Sequence, residues 1–279
     1  MFEKGLLKQT RILITGGGSG LGAAMGRRFA ELGAELIICG RRLELLEEVA
    51  AKTRSELGAK VTTVRCDMRD GAAVDAMMEA IWREAPIDVL VNNAAATFIA
   101  QTEHLSFRAA DAILAPTLHG TMYCTLAAGK RWIEDKHKGV VLSILSTSTI
   151  TGRAFTVPSA MAKTAVLAMT KSLAVEWGPK GIRLVAIAPG AFPTPGAIGQ
   201  LRPEGRAESW VQRNPLGRPG DHGELANLAS FLISDAAGYI NGEMVVQDGG
   251  AHLRSSGAED LLQWTDAQWE KHRAARAKS

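Results

Sequence analysis

Arg11-Ile12-Leu13-Ile14-Thr15-Gly16-Gly17-Gly18-Ser19-Gly20-Leu21-Gly22 is the stretch on which the fold turns. Its first five residues read as a short buried strand, the glycines as a tight turn, and residues 21–32 as a helix. A glycine-rich turn from strand into helix lets backbone N–H groups approach a pyrophosphate at the positive helix end. Gly16, Gly18, Ser19, Gly20, Leu21 and Gly22 are therefore candidate dinucleotide contacts. A lone glycine run would serve equally as a structural turn. Its place on the first strand of an alternating strand–helix series favours the ligand.

That series continues outward. Aliphatic runs at 35–40, 61–65, 89–92, 140–145, 183–188 and 243–247 predict strands, and 43–56, 72–84, 109–134, 159–177 and 223–234 predict helices between them. Unbroken aliphatic strands joined through helices imply a parallel sheet covered on both faces. Right-handed crossovers leave a Rossmann-type, doubly wound α/β sheet of about seven strands in a single domain. We place that domain at 1–257, with a Pro- and Gly-rich substrate loop at 189–219. A helical extension follows at 258–279; Thr265 is a candidate N-cap there, and two tryptophans are expected to pack on the body or on a neighbouring subunit.

The 279 residues are 46% hydrophobic and 22% charged, enough for a substantial core. The net charge of +3 is spread along the chain, with no concentrated basic face to suggest nucleic acid. Three scattered cysteines argue against a disulfide framework or a metal site. No apolar run approaches the ~20 residues of a membrane span. The N-terminal stretch lacks a secretion signal, so a cytoplasmic location is expected.

The end of the second strand, Ile38-Cys39-Gly40-Arg41-Arg42, bears on the choice of dinucleotide. A carboxylate there would suit the ribose 2′-hydroxyl of NAD, and a cation the 2′-phosphate of NADP. Arg41 and Arg42 supply cations and no acid. They could simply open a solvated helix, but cations at a helix N-terminus oppose the dipole, which favours a phosphate partner. NADP(H) is the expected cofactor.

Residues 15–22, Asp67 after the third strand, Asn92-Asn93-Ala94-Ala95 after the fourth, Ser146 after the fifth, Lys163, and Pro189-Gly190 after the sixth occur in one order. As a set, across about 8–252, they resemble the short-chain dehydrogenase/reductase family. The resemblance implies that Asp67, with Met68 beside it, meets the adenine, and that Asn93, Ala94 and Ala95 border the cofactor ribose. It implies that Lys163 holds the nicotinamide ribose hydroxyls. Pro189, Gly190, Phe192 and Thr194 would lie by the carboxamide and diphosphate. It also implies a homotetramer built on the helices at 109–134 and 159–177.

The catalytic pattern departs from the family's. The position four residues before Lys163, usually tyrosine, is Ser159, while the usual serine thirteen residues earlier is present as Ser146. The family's helix asparagine falls at Thr117. A phenol beside an ammonium can be tuned to exchange a proton near neutral pH, whereas an alcohol is a far weaker acid. Simple carbonyl–alcohol interconversion is therefore disfavoured.

Val157-Pro158-Ser159-Ala160-Met161-Ala162-Lys163 resembles the Ser-x-x-x-Lys segment of the 2,4-dienoyl-CoA reductase branch. Residues 92–99, 172–178 and 224–229 and the tryptophan-bearing extension are similar to that branch too. Hydride added at the far end of a conjugated thioester sends charge to the thioester oxygen. The protein must then stabilise an enolate with hydrogen-bond donors, and water can protonate carbon.

The match to the branch is incomplete: Ser148 and His119 stand where mitochondrial-type members carry tyrosine and asparagine, and Thr117 where peroxisomal-type members carry aspartate. His119 is a candidate donor or acid, or equally a surface histidine. Tyr123, one helical turn on, reads first as core or interface.

Three functions stay open: an NADPH-dependent reductase of conjugated enoyl or dienoyl thioesters, a reductase of another carbonyl using Ser146, Ser159 and His119, and an NADP-binding protein without turnover. An acyl-CoA is the expected substrate in the first. Arg202, Arg206 and Arg213 in the loop could meet its phosphates, although solvated surface charge is the commoner explanation.

Overall fold

A computed structural model describes residues 2–194, 196, 214–254 and 259–276. Its strands are β1 (Arg11–Thr15), β2 (Glu35–Gly40), β3 (Val61–Arg65), β4 (Val89–Asn92), β5 (Gly139–Ile144), β6 (Ile182–Pro189) and β7 (Met244–Gln247). Among the described residues they form one parallel sheet in the order β3-β2-β1-β4-β5-β6-β7. Helices α1 (Gly20–Glu31), α2 (Leu43–Leu57), α3 (Gly71–Glu84), α4 (Phe107–Leu114), α5 (Gly120–Glu134), α6 (Ser148–Thr151), α7 (Val157–Trp177), α8 (His222–Ile233) and α9 (Asp266–Arg276) make or follow the crossovers. The seven expected strands and the doubly wound class are observed, with boundaries shifted by a residue or so.

Strand side chains alternate between faces, so each strand feeds two cores. Ile12, Ile14, Leu36, Ile38 and Val91 point to one face, against Met25 and Phe29 of α1 and Leu225 and Leu232 of α8. Leu13, Ile37, Leu90 and Val141 point to the other, against Met78 and Ile81 of α3 and Ala128 and Trp132 of α5. Cys39, Cys66 and Cys124 are free thiols in this second core. Burial pushes the Cys66 thiol up to about 11 and that of Cys124 to about 12, which keeps both protonated.

The helix expected over 109–134 is observed as one run from Phe107 to Glu134 with a π-turn, Ala115–His119, between its α segments. Pro116 is the cause: it has no N–H to give the helical ladder, and the turn widens where that bond is missing. In the long helix α7, Val166 is core and Met169 half-buried, whereas Met161 is 58% exposed.

At the C-terminal end, Thr265 caps α9 through a reciprocal pair with Gln268. The ring contacts of Trp264 and Trp269 are with each other, at 4.9 Å, and with His272. No residue of α9 is buried. No helix among the described residues is long and apolar enough to cross a membrane.

Candidate active site

β2 lies on one side of β1 and β4 on the other, so successive crossovers leave in opposite directions and open a crevice at the C-terminal strand ends. The glycine turn sits there and is stapled to β4. Thr15 Oγ1 accepts the N–H groups of Asn93 and Ala94 at 3.0 Å each and donates to the Val91 carbonyl. Asn93 Nδ2 donates to the carbonyls of Thr15 and Gly16. A Cβ on Gly22 would stand 2.4 Å from the Gly16 oxygen and 2.6 Å from Asn93 Nδ2, so only glycine lets α1 start this close to β1.

The turn fits a dinucleotide diphosphate. Ser19 begins α1 without a side-chain cap, and no acid occupies the first turn, which leaves its N–H groups for an anion. Thr194 comes over the turn, its methyl 3.1 Å from where a Gly20 Cβ would lie. Gly190 passes so close to Asp248 that a Cβ would approach to 2.4 Å. Phe192 is a core residue, with its ring packed on Gly220. A concavity of about 100 Å³ lies beside it, lined by Ala191, Asn214, Arg218, Gln247 and Asp248 among others. Arg202, Arg206 and Arg213 lie outside the described residues.

Arg41 and Arg42 are exposed at the end of β2. Neither has an ion-pair partner within 4.0 Å among the described residues, consistent with a ligand anion. Asp67, after β3, carries a partner absent from the sequence reading: Arg69 Nε and Nη2 reach its two oxygens at 2.6–3.0 Å. That guanidinium holds the Asp67 carboxyl below the usual range, and Arg41 adds to the effect. The Met68 side chain turns into the core, with its sulfur 3.5 Å from Cys124 Sγ, and its carbonyl packs against Gly120 of α5. Ala94 is half-buried and Ala95 exposed at the mouth of β4.

The candidate catalytic residues Ser146, Ser159 and Lys163 sit just after β5 and on α7. Ser146 follows β5, and its Oγ accepts the Ser148 N–H at 3.2 Å. Ser159 lies in the first turn of α7, half-buried, one helical turn before Lys163 and on the same face. Lys163 is buried and donates to the Ile144 carbonyl at 2.5 Å, fastening the start of α7 to the strand that delivers Ser146. Burial lowers its pKa from 10.5 to about 8.

Two other candidates are placed differently. Thr117 is fully buried, and its hydroxyl accepts from Ala96 N and donates to Ala96 O, holding the loop after β4. His119 is exposed and stacks near Tyr123 at 6.2 Å, and Tyr123 rests on Gly71 at the start of α3. Through Tyr123 this pair leans toward the start of α3. The second tyrosine, Tyr239, is fully exposed beyond α8. Ser148 is buried at the start of α6.

Residues 16–252 match the sequence model of a family described as enoyl-(acyl carrier protein) reductase. A probable 2,4-dienoyl-CoA reductase, (2E)-enoyl-CoA-producing, of Bacillus subtilis is 41% identical over 88% of this chain and 98% of its own length. A short chain dehydrogenase from Bacillus anthracis superposes with a TM-score of 0.82 at 41% identity, covering 89% of this chain and 99% of that one. A candidate 2-deoxy-D-gluconate 3-dehydrogenase from Agrobacterium tumefaciens, solved with bound NADP, superposes with a TM-score of 0.81 at 30% identity, over 90% of this chain and all of that one. With its strand order, glycine turn and Ser146–Lys163 corner in place, the chain belongs to the short-chain dehydrogenase/reductase family.

Proposed function

We propose that the chain is an NADPH-dependent reductase of a conjugated thioester, a 2,4-dienoyl- or enoyl-CoA, acting in fatty acid metabolism. One observation carries this reading. The corner formed by Ser146, Ser159 and Lys163 contains two alcohols and an ammonium, while Tyr123 rests on Gly71 at the start of α3 and Tyr239 is fully exposed beyond α8. The curated Bacillus subtilis relative supports the substrate class, and the NADP-bound structural neighbour supports the cofactor.

NADPH, when bound, supplies a hydride to the far carbon of the conjugated system. The chain does the rest. Residues 16–22 and Thr194 hold the diphosphate, Arg41 and Arg42 the 2′-phosphate, and Lys163 the nicotinamide ribose. Ser146 and Ser159 donate hydrogen bonds to the thioester oxygen as negative charge develops on it; a preorganised donor of this kind is worth on the order of 10²–10³ in rate. The Lys163 ammonium adds favourable charge behind them. Carbon is protonated by water, so no phenolic acid is needed. In this reading Thr117 positions the loop that borders the site, and His119 is a surface residue.

The working unit we infer is the body at 1–257 with 258–279 as an appendage, assembled as a cytoplasmic homotetramer. Exposed Leu126 on α5 and exposed Met161 and Val175 on α7 support burial of these helices between copies. Light scattering of a monomer would remove the assembly.

NADPH consumption against a dienoyl-CoA, an enoyl-CoA, a 3-ketoacyl-CoA and a plain ketone tests the activity. Turnover confined to the conjugated thioesters is expected. Turnover of the ketones would support an altered carbonyl reductase, and cofactor binding with no turnover a protein that has lost its chemistry.

A further inference from the structure

β3 runs beside β2, with Arg65 in register with Gly40 and the Cys66 N–H donating to the Gly40 carbonyl at 3.0 Å, so Asp67 follows the strand next to the one that delivers Arg41 and Arg42, and Arg41 helps to lower its pKa. An ionised Asp67 there works against a phosphate dianion held by Arg41 and Arg42. Arg69 answers that charge. Its Nε lies 2.9 and 3.0 Å from the two Asp67 oxygens, its Nη2 2.6 Å from one, and its backbone N–H 3.1 Å from the other.

The pair is two residues apart and substantially exposed, with 46% of the Arg69 side chain and 34% of the Asp67 side chain accessible. An exposed pair of this kind adds little to folding stability. Its effect lies in the local field. With Arg69 the groups Arg41, Arg42, Asp67 and Arg69 sum to +2, and without it to +1.

We propose that Arg69 is a specificity-determining residue for the dinucleotide, neutralising Asp67 so that the end of β2 can prefer a 2′-phosphate over a 2′-hydroxyl. This rests on the NADPH reading above and adds a residue that acts through Asp67, without requiring Arg69 to touch the cofactor. Charges separated by a few ångströms of solvent-exposed surface interact weakly, so the effect is about fivefold in relative affinity at low salt.

The test is fluorescence titration of the intact protein with NADPH and with NADH, without substrate, for wild type, Arg69→Gln, Arg69→Lys and Asp67→Asn/Arg69→Gln. We expect Arg69→Gln to weaken NADPH about fivefold and NADH much less, with the difference shrinking as salt is raised. Arg69→Lys should keep the preference, and the double variant should restore the NADPH/NADH ratio. Unchanged thermal unfolding of Arg69→Gln separates this from a folding defect.

Equal weakening of both dinucleotides by Arg69→Gln, or a ratio not recovered in the double variant, overturns the proposal. If wild type itself prefers NADH, the cofactor reading fails first, and the two failures are told apart by that one arm.

Discussion

Replacing Lys163 by methionine should make the protein more stable and abolish its turnover. The ammonium is buried, and burial lowers its pKa from 10.5 to about 8. A fall of that size means that keeping the charge in the folded state at neutral pH costs about 3 kcal/mol. Methionine fills the same space without charge. It leaves the Ile144 carbonyl without its donor, a loss of roughly 1 kcal/mol. The net gain is about 2 kcal/mol, or a rise in Tm of roughly 4–8 °C for a chain of this size.

The pH dependence has a definite sign. The folded pKa lies below the unfolded one, so the penalty on wild type is complete below about pH 8. It fades as pH rises from about 8 through 10.5, above which the lysine is neutral in both states. The advantage of Lys163→Met should therefore be largest at pH 7 and should disappear above about pH 10.5. Thermal unfolding of both proteins without cofactor, followed by circular dichroism across that range, is the assay. A variant less stable than wild type by an amount independent of pH would refute the reasoning. Lys163 would then be a structural tie between α7 and β5, and not a charge kept for the site.

Gly22→Ala should lose dinucleotide binding and several kcal/mol of stability, because its methyl would stand 2.4 Å from the Gly16 oxygen; calorimetric titration and melting check both. Asn93→Ala removes two hydrogen bonds that brace the glycine turn and should cost about 2 kcal/mol, with cofactor affinity falling in parallel when measured by fluorescence titration. Ser159→Ala and Ser146→Ala should each lower kcat by about 10²-fold with little change in KM, as expected for donors felt in the transition state, while His119→Ala should leave both nearly unchanged. Steady-state assays on a dienoyl-CoA distinguish these outcomes.

The sheet was legible because its strands are buried on both faces and read as unbroken aliphatic runs; β1 (Arg11–Thr15) and β2 (Glu35–Gly40) fall where their residues place them. The π-turn at Ala115–His119 was signalled by Pro116, but the apolar periodicity on either side continues through it and masks the widening. Thr117 is named by position in the sequence, yet only the fold shows both its hydrogen bonds going to Ala96.

Tertiary partners account for the rest. Asn93 reaches back 78 residues to the Thr15 carbonyl, and Lys163 reaches Ile144 across 19. Neither bond has a local pattern. Arg69 is different, since it stands two residues from its partner. A short basic residue pairing is common on surfaces, and its meaning comes from Arg41, which another strand brings alongside.

The central claim concerns where hydride goes when no phenol attends the reaction. Reduction of a 2,4-dienoyl-CoA with NADPH deuterated at its transferable position, read by mass spectrometry and NMR of the product, measures this directly. The account predicts one cofactor deuterium on the far carbon of the former diene, an intact thioester, and the second new hydrogen drawn from solvent. Deuterium on a carbinol carbon, or no deuterium transferred to the thioester at all, would contradict it.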